Sequence, residues 1–536
     1  MGSGTTVTRL KLSTDAKFRG MNRQQRWTMT AVVLGSAIVF LDTTVVSVAL
    51  PKIGEQLPSK LFRVLEGQSF VYNGYLLTLS ALLILAGALS DYYGRRRMFA
   101  LGLAGFGLTS LLCGLAPNMD LLILFRILQG AAGAMLVPGS LAIITTTFSG
   151  EEQGRAFGIW ASGSAAATIL GPLVGGVLVG SISWRSAFFI NVPLVLVAYY
   201  ATSRHIVESR DETASREFDW LGAAVVAVAV GGMSFGAIRG QEREWHDSIA
   251  FIALGSGLAA AIFFPFLMAR SAHPLVPLEL FRSRNFTVTN ISTLLIYGAL
   301  YVNIQYLGLF LQGTLQYNAA AAGLASVPAG VLLALFSSRF GKMAARFGPR
   351  LFMTAGPIFM GIGLLWFARA PAESQAWRIS LSRPQTFVPP ASYLTDFLPA
   401  ALIFGVGLMI MVAPLTTALM TSIPTRHAGV GSAINNAISR VGPQLAGALI
   451  FVAITASFYS SLAGQDLSID TSSTAFRQSV PPLNKPSGTV DMAILPHIRE
   501  ASTHSFRLAM LISAGLMFAG AAVNAVGIRN PDVSKD

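Results

Sequence analysis

One carboxylate in this sequence stands where a carboxylate is expensive. Asp42 falls within the apolar run IVFLDTTVVSVALPKI, nine residues before Pro51, hence about 13 Å below the end of that run at 1.5 Å of rise per residue. By the segment boundaries given below it is the only Asp or Glu well inside an apolar segment, because Glu66 and Asp396 sit at segment mouths and the others fall in polar connections. Desolvation penalises the charged form of a carboxylic acid, so such a group is suited to taking a proton from one aqueous face and releasing it at another. The alternative is a carboxylate that only hydrogen-bonds a neighbouring helix. A second ionisable group lies in LLILFRILQGAAGAMLVPG, where Arg126 shares successive turns with Gln129, Gly130 and Gly133. Counted from the corresponding end of its own segment, Arg126 reaches the depth of Asp42. A guanidinium keeps its proton, yet by approaching or withdrawing it changes the proton affinity of a nearby carboxylate. A purely structural bridge between helix ends is the other reading.

Three further patterns carry weaker chemistry. GALSDYYGRRR, beginning at Gly87, places Asp91 four residues on and then Gly94, Arg95, Arg96 and Arg97; Asp91 can pair with Arg95 or face a helix N-terminus, while the arginines can also be topology anchors. GSAAATILGPLVGG holds Gly163, Gly171, Pro172, Gly175 and Gly176, small residues that let helix backbones approach closely beside a proline that removes a backbone donor. That suits a hinge or a seal, and helix packing alone explains it equally. Polar side chains within apolar runs (Asn73, Tyr75, Gln129, Tyr297, Asn303, Gln305, Gln312, Asn435 and Asn436) are candidates for lining a substrate cavity, with 34 Phe and 17 Met available for adaptable apolar walls.

Other chemistries drop out. There is no Gly-x-x-x-x-Gly-Lys loop, no His-Glu-x-x-His and no cysteine pair, so no cofactor, nucleotide or metal is expected. GMSFG at 232–236 fits a nucleophile-elbow expression but lies in an apolar helix with no strand before it. Cys113 is the single cysteine and falls in an apolar stretch, which excludes an internal disulfide. His427 is the only histidine near a connection expected to move.

Positioning these residues requires a membrane. Of 536 residues 53% are apolar and 12% charged, about half the charged share of a soluble domain, and runs long enough to cross a bilayer recur along the chain. Fourteen are expected, near 30–51, 69–89, 98–116, 120–147, 156–179, 186–203, 220–239, 249–269, 287–311, 319–338, 351–368, 396–423, 429–457 and 505–528. An even number puts both termini on one side. With the N-terminus cytosolic, 23 Lys and Arg fall in inner connections and 12 in outer ones, with Arg126, Arg440 and Arg507 in or at helices. The positive-inside rule therefore favours cytoplasmic termini. The net charge of +13 is then a topology signal with contact to anionic membrane lipid as a by-product, and nucleic acid is not called for. The tail 1–29 is polar and basic and lacks a short apolar region with a cleavage site, so no removable signal peptide is expected. The stretches 369–395 and 458–502 are rich in Pro, Ser and Thr and are expected to be loosely folded outer caps.

An internal echo divides the chain. Gly87, Gly94 and Arg96 recur at identical spacing as Gly341, Gly348 and Arg350, implying two related halves. The sequence thus divides into a tail 1–29, a six-helix bundle 30–203, a linker 204–286 with two extra membrane helices, a second six-helix bundle 287–528 and a tail 529–536. The extra helices carry no charge within their apolar stretches and are read as lipid-facing.

In this order LDTTVVSVALP, GALSDYYGRRR, RILQGAAGA and GPLVGG followed by WRSAFFINVP resemble the major facilitator superfamily, and within it the fourteen-helix drug:proton antiporters; HPLVPLELFRSRNF and LFLQGTLQYNAAAAGLASVPAG agree. The resemblance covers nearly the whole chain. It implies an all-α integral membrane protein of the major facilitator fold, with two six-helix bundles plus the extra hairpin. It also implies that Asp42 handles protons, Arg126 relays them, Asp91 with Arg95 forms a cytosolic gate, and Gly171 with Pro172 forms the antiporter seam. The sequence departs from the family pattern at Ala167, where glycine is usual, at Ser47, where Asn is frequent, and at Ala345, which stands where the first copy has Asp91. The expected function is proton-coupled export of a small amphiphilic compound by alternating access, without enzymatic activity, by a monomer in the inner membrane. The alternatives are a lipid or lipid-conjugate transporter of the same fold, and a non-transporting membrane sensor or scaffold.

Overall fold

A computed structural model of the chain describes residues 21–60, 64–210, 218–243, 245–380, 383–464, 470–471, 473–486 and 493–530. Most of the tail 1–29, the end of the tail 529–536, parts of both outer stretches and the side chains of Glu66 and Pro172 lie outside the described residues.

Regular structure among the described residues is helical, as a bilayer demands, because a helix satisfies its own backbone donors and acceptors. The helices are α1 (Arg23–Gln56), α2 (Val64–Tyr93), α3 (Arg95–Gly114), α4 (Met119–Gly133), α5 (Leu136–Thr147), α6 (Gly150–Ser181), α7 (Ser186–Phe189), α8 (Asn191–His205), α9 (Trp220–Glu242) and α10 (Ser248–Arg270). They continue as α11 (Arg284–Leu309), α12 (Ala319–Phe347), α13 (Arg350–Phe367), α14 (Leu398–Thr421), α15 (Ala428–Ala463), α16 (Thr474–Ser479) and α17 (Leu495–Gly527). Among the described residues thirteen segments are long and apolar enough to cross a membrane, with α4 and α5 forming one of them and α7 and α8 another. The 32-residue α6 is a further long helix. Several starts carry the oxygen that their free N–H groups require: Asn22 forms a capping box with Gln25, and Asn118, Asp219, Asp247, Ser283 and Asn318 each accept from their first turn.

Contacts divide the chain into two compact units. The first holds residues up to Leu79, Ala86–Arg216 and Pro424–Ala433; its apolar core joins Leu41, Val45 and Val46 of α1 to Leu122, Trp184 and Phe188. The second holds Ser80–Leu85, Glu217–Ile423 and Ile434–Asp536, with a core that includes the stacked rings of Phe310 and Phe506, whose centroids are 4.1 Å apart. The α9–α10 pair groups with this second unit, and α10 leaves Phe251, Ile252, Ile262, Phe263 and Phe266 exposed. In a bilayer that face meets acyl chains.

The sequence echo has a structural counterpart. Gly94 and Gly348 both adopt positive φ, 113° and 86°, which L side chains rarely tolerate. Two residues later Arg96 N–H donates to Glu208 at 3.0 Å and Arg350 N–H to Asn530 at 3.1 Å. Each partner follows the last membrane helix of its half.

The stretches 369–395 and 458–502 differ from the expectation of loose caps where they are described. Trp377 and Ile379 are buried; Asn318 donates to Ile379 O at 2.6 Å, and Trp377 Nε1 to Thr386 O at 2.9 Å. Tyr459 Oη donates to Val480 O at 3.2 Å, and Leu483 is fully buried. A few apolar anchors fold these polar stretches, which composition averaged over 27 or 45 residues does not reveal. The flanking helices also outrun the apolar runs. α15 continues to Ala463 and α17 begins at Leu495, because a helix leaving the bilayer can go on with polar residues such as His497 and Arg499.

Candidate functional site

The first unit buries two ion pairs, and one of them is completely enclosed. Asp42 on α1 and Arg126 on α4 have no solvent exposure, and Arg126 Nη1 lies 2.6 Å from Asp42 Oδ2. The other carboxylate oxygen accepts from Gln129 Nε2 at 3.1 Å and from Asn191 Nδ2, at the start of α8, at 3.0 Å. Both amides also donate to Ser110 Oγ of α3, at 3.2 and 3.0 Å, and that hydroxyl donates to Phe188 O at 3.0 Å. Donors from α4 and α8 thus meet the carboxylate of α1, and Ser110 of α3 braces the two amides.

The guanidinium is equally constrained. Its Nε donates to Val71 O at 3.1 Å, its Nη1 also reaches Gln129 Oε1 at 2.7 Å, and its carbon stands 4.1 Å from the centre of the Tyr75 ring. The face of an aromatic ring attracts a cation, more strongly where water is excluded. Two polar atoms of the cluster, Arg126 Nη2 and Asn191 Oδ1, find no hydrogen-bond partner. Three N–H groups from two helices thus occupy the two carboxylate oxygens, and Arg126 must move before Oδ2 is free for another partner. Gln129 Oε1 offers the guanidinium a second neutral acceptor within the same bundle.

Asp91 lies near the C-terminal end of α2. Arg95 Nε and Nη2 donate to Asp91 Oδ1 at 2.9 and 2.7 Å, and the carboxylate accepts from Gly429 N at 3.0 Å and Val430 N at 2.9 Å, at the N-terminus of α15. Arg95 Nη2 also donates to Thr425 O at 2.6 Å. The carboxylate thus joins a cation to the positive end of a helix, and Gly87 is what lets α2 lie there, since a Cβ on it would sit 2.5 Å from Gly429 O. Arg96 takes no part: its side chain lines a separate cavity with Arg23 and Arg204. Arg426 Nε lies 3.0 Å from His427 Nε2.

The seam residues divide. Cβ atoms built on Gly163 and Gly171 would run into Val33 and Thr44 of α1, and one on Gly175 would stand 3.2 Å from Val45 Cα, whereas Gly176 faces open space and is not part of the contact. The backbone remains helical through Pro172.

The cavity candidates scatter. Tyr75 and Gln129 are fully buried in the Asp42 cluster and line no open space. Asn435 is buried and donates to Asn290 Oδ1 at 3.1 Å and Thr293 Oγ1 at 2.9 Å, tying α15 to α11. Asn303 is buried, Asn73, Tyr297 and Asn436 are half-buried, and Gln305 and Gln312 are exposed, with Gln312 in a π-helical turn, Phe310–Thr314. The residues that sequence reasoning missed are Ser110 and Asn191. A lone serine in an apolar helix and an asparagine at a helix start have commoner explanations in packing and capping.

The sequence matches the Major Facilitator Superfamily over residues 32–447. It is 31% identical over 432 residues to the multidrug resistance protein Stp of Mycobacterium tuberculosis, covering 80% of this chain and 76% of that protein. It is 29% identical over 431 residues to the tetracenomycin C resistance and export protein of Streptomyces glaucescens, with the same coverage. The crystal structure of the human organic anion transporter MFSD10 superposes on 94% of this chain and 100% of that one with a TM-score of 0.59 at 12% identity, a likeness of fold alone. The chain belongs to the Major Facilitator Superfamily of multi-pass membrane transporters.

Proposed function

We propose that this protein exports small amphiphilic or hydrophobic compounds across the plasma membrane in exchange for protons, by alternating access between two helix bundles, with both termini in the cytoplasm. Asp42 is the proton-carrying group. Arg126 holds it as an anion until the guanidinium shifts toward Gln129; the freed carboxylate then takes a proton, and neutralising a desolvated charge changes which access state is favoured. Asp91 and Arg95 form the cytosolic gate, and the α1–α6 seam at Gly163, Gly171 and Gly175 is the surface on which the bundle flexes. Protons, the exported compound and membrane lipid are its partners.

The observation carrying this reading is the fully buried Asp42–Arg126 pair with Gln129 as an alternative partner for the guanidinium. The resistance and export functions named for Stp and for the tetracenomycin C protein support the substrate class. A single membrane carboxylate suits a monovalent cation or a neutral compound better than a dication. The experiment is uptake of a chemically mixed panel, including tetraphenylphosphonium and puromycin, into proteoliposomes with an imposed pH gradient. Transport that collapses with the gradient supports the reading; transport indifferent to it refutes the coupling. A second reading, a non-transporting scaffold, is favoured by the complete burial of Asp42 against Arg126, and any protein-dependent flux discards it.

A further inference from the structure

Arg23 opens α1, Arg96 lies in the first turn of α3, and Arg204 lies in the last turn of α8, so three helix ends bring three guanidinium-bearing residues to one membrane face. They line a wide, open cleft of about 730 Å³ together with Gln24, His205, Ile206, Val207 and Glu208. Among the described residues, no carboxylate lies within 4.0 Å of any of the three guanidiniums. The single acid in the lining is already engaged: Glu208 accepts from Arg96 N at 3.0 Å, Arg97 N at 3.2 Å and Ser209 N at 3.2 Å. Three arginines against one glutamate leave an excess of two positive charges in the lining.

Its depth is fixed by aromatic rings. Trp27 stacks on His205 at 5.0 Å and meets Tyr200 edge-on at 6.1 Å, while Tyr199 and Tyr200 are exposed on α8. Trp and Tyr gather where acyl chains meet headgroups. The cavity therefore opens where lipid phosphates lie, and guanidiniums bind phosphate oxygens in pairs.

We propose that this cavity is a binding site for the headgroup of an anionic phospholipid, held by Arg23, Arg96 and Arg204. The site is independent of the transport reading. It also touches the gate, because Arg96 follows directly on Arg95.

The test uses the full-length protein, delipidated in neutral detergent and titrated with a short-chain phosphatidylglycerol, the matching phosphatidylcholine, or inorganic phosphate. The wild type binds phosphatidylglycerol in preference to phosphatidylcholine. In Arg23→Gln/Arg204→Gln that affinity falls roughly 25-fold, at about fivefold for each arginine near an anionic surface. Arg270→Gln/Arg282→Gln removes equal charge from exposed positions elsewhere and leaves affinity within twofold. Thermal unfolding of each variant establishes that it is folded. Unchanged affinity in the first variant, or an equal fall in the second, overturns the site. Inorganic phosphate competing as well as the lipid overturns the lipid assignment in favour of a free anion.

Discussion

Removing Arg126 strands a charge, and the size of the effect can be worked from the contacts. In Arg126→Gln, Asp42 keeps only Gln129 Nε2 at 3.1 Å and Asn191 Nδ2 at 3.0 Å, at zero exposure. Breaking a buried pair from one side costs about 3–5 kcal/mol. Asp42→Asn strands the guanidinium in its turn and costs about as much by the same argument. The double variant leaves no charge in this cluster. It loses the bond to Val71 O and the ionic hydrogen bond, about 1–3 kcal/mol together. The singles thus sum to about 6–10 kcal/mol against a far smaller double, a coupling energy of at least about 3 kcal/mol. Reversible unfolding of the four purified proteins in mixed micelles measures it. Additivity within about 0.5 kcal/mol would refute the claim that the two charges hold one another in place.

Two further perturbations separate contact from composition. Gly171→Val drives a branched side chain into Thr44 of α1 and is expected to destabilise by about 1–3 kcal/mol, while Gly176→Ala, in open space, stays within about 0.5 kcal/mol of the wild type; the same unfolding assay checks both. Asp247 caps α10, and the Ile249 N–H, with Arg239 beside it, holds its carboxyl below the usual range. A depressed carboxylate contributes stability above its unfolded value near 3.8 that is lost as pH falls through the folded value. Hydrogen exchange at Ile249 should therefore be indifferent between pH 8 and 5 and accelerate, relative to its intrinsic rate, only below about pH 4. Loss of protection already at pH 6 would contradict the assignment.

What the sequence discloses depends on how rare a residue is in its surroundings. A carboxylate and a guanidinium in apolar runs are conspicuous, and counting rise along straight helices puts Asp42 and Arg126 at one level, where they lie 2.6 Å apart. Apolar length likewise marks the spans, because hydrocarbon leaves the backbone no alternative to a helix. Ser110 and Asn191 are not legible in this way: neutral polar residues are tolerated widely in apolar helices, and only packing decides which of them meet. The same limit explains Tyr75 and Gln129, which pattern alone placed along a cavity and which the structure turns toward Arg126. Adjacency in sequence groups Arg96 with Arg95, although successive residues on a helix point about 100° apart. The folding of the stretches 369–395 and 458–502 is hidden for a different reason, since Trp377 and Leu483 are single anchors diluted by polar neighbours.

The claim on which the account turns is that Asp42 gains and loses a proton as substrate moves. It is tested most directly by counting protons released from purified protein in weak buffer when a compound that the wild type exports is added. The wild type releases protons on binding, whereas Asp42→Asn, and the charge-free Asp42→Asn/Arg126→Gln as a folded control, release none. Release from Asp42→Asn equal to that of the wild type would contradict it.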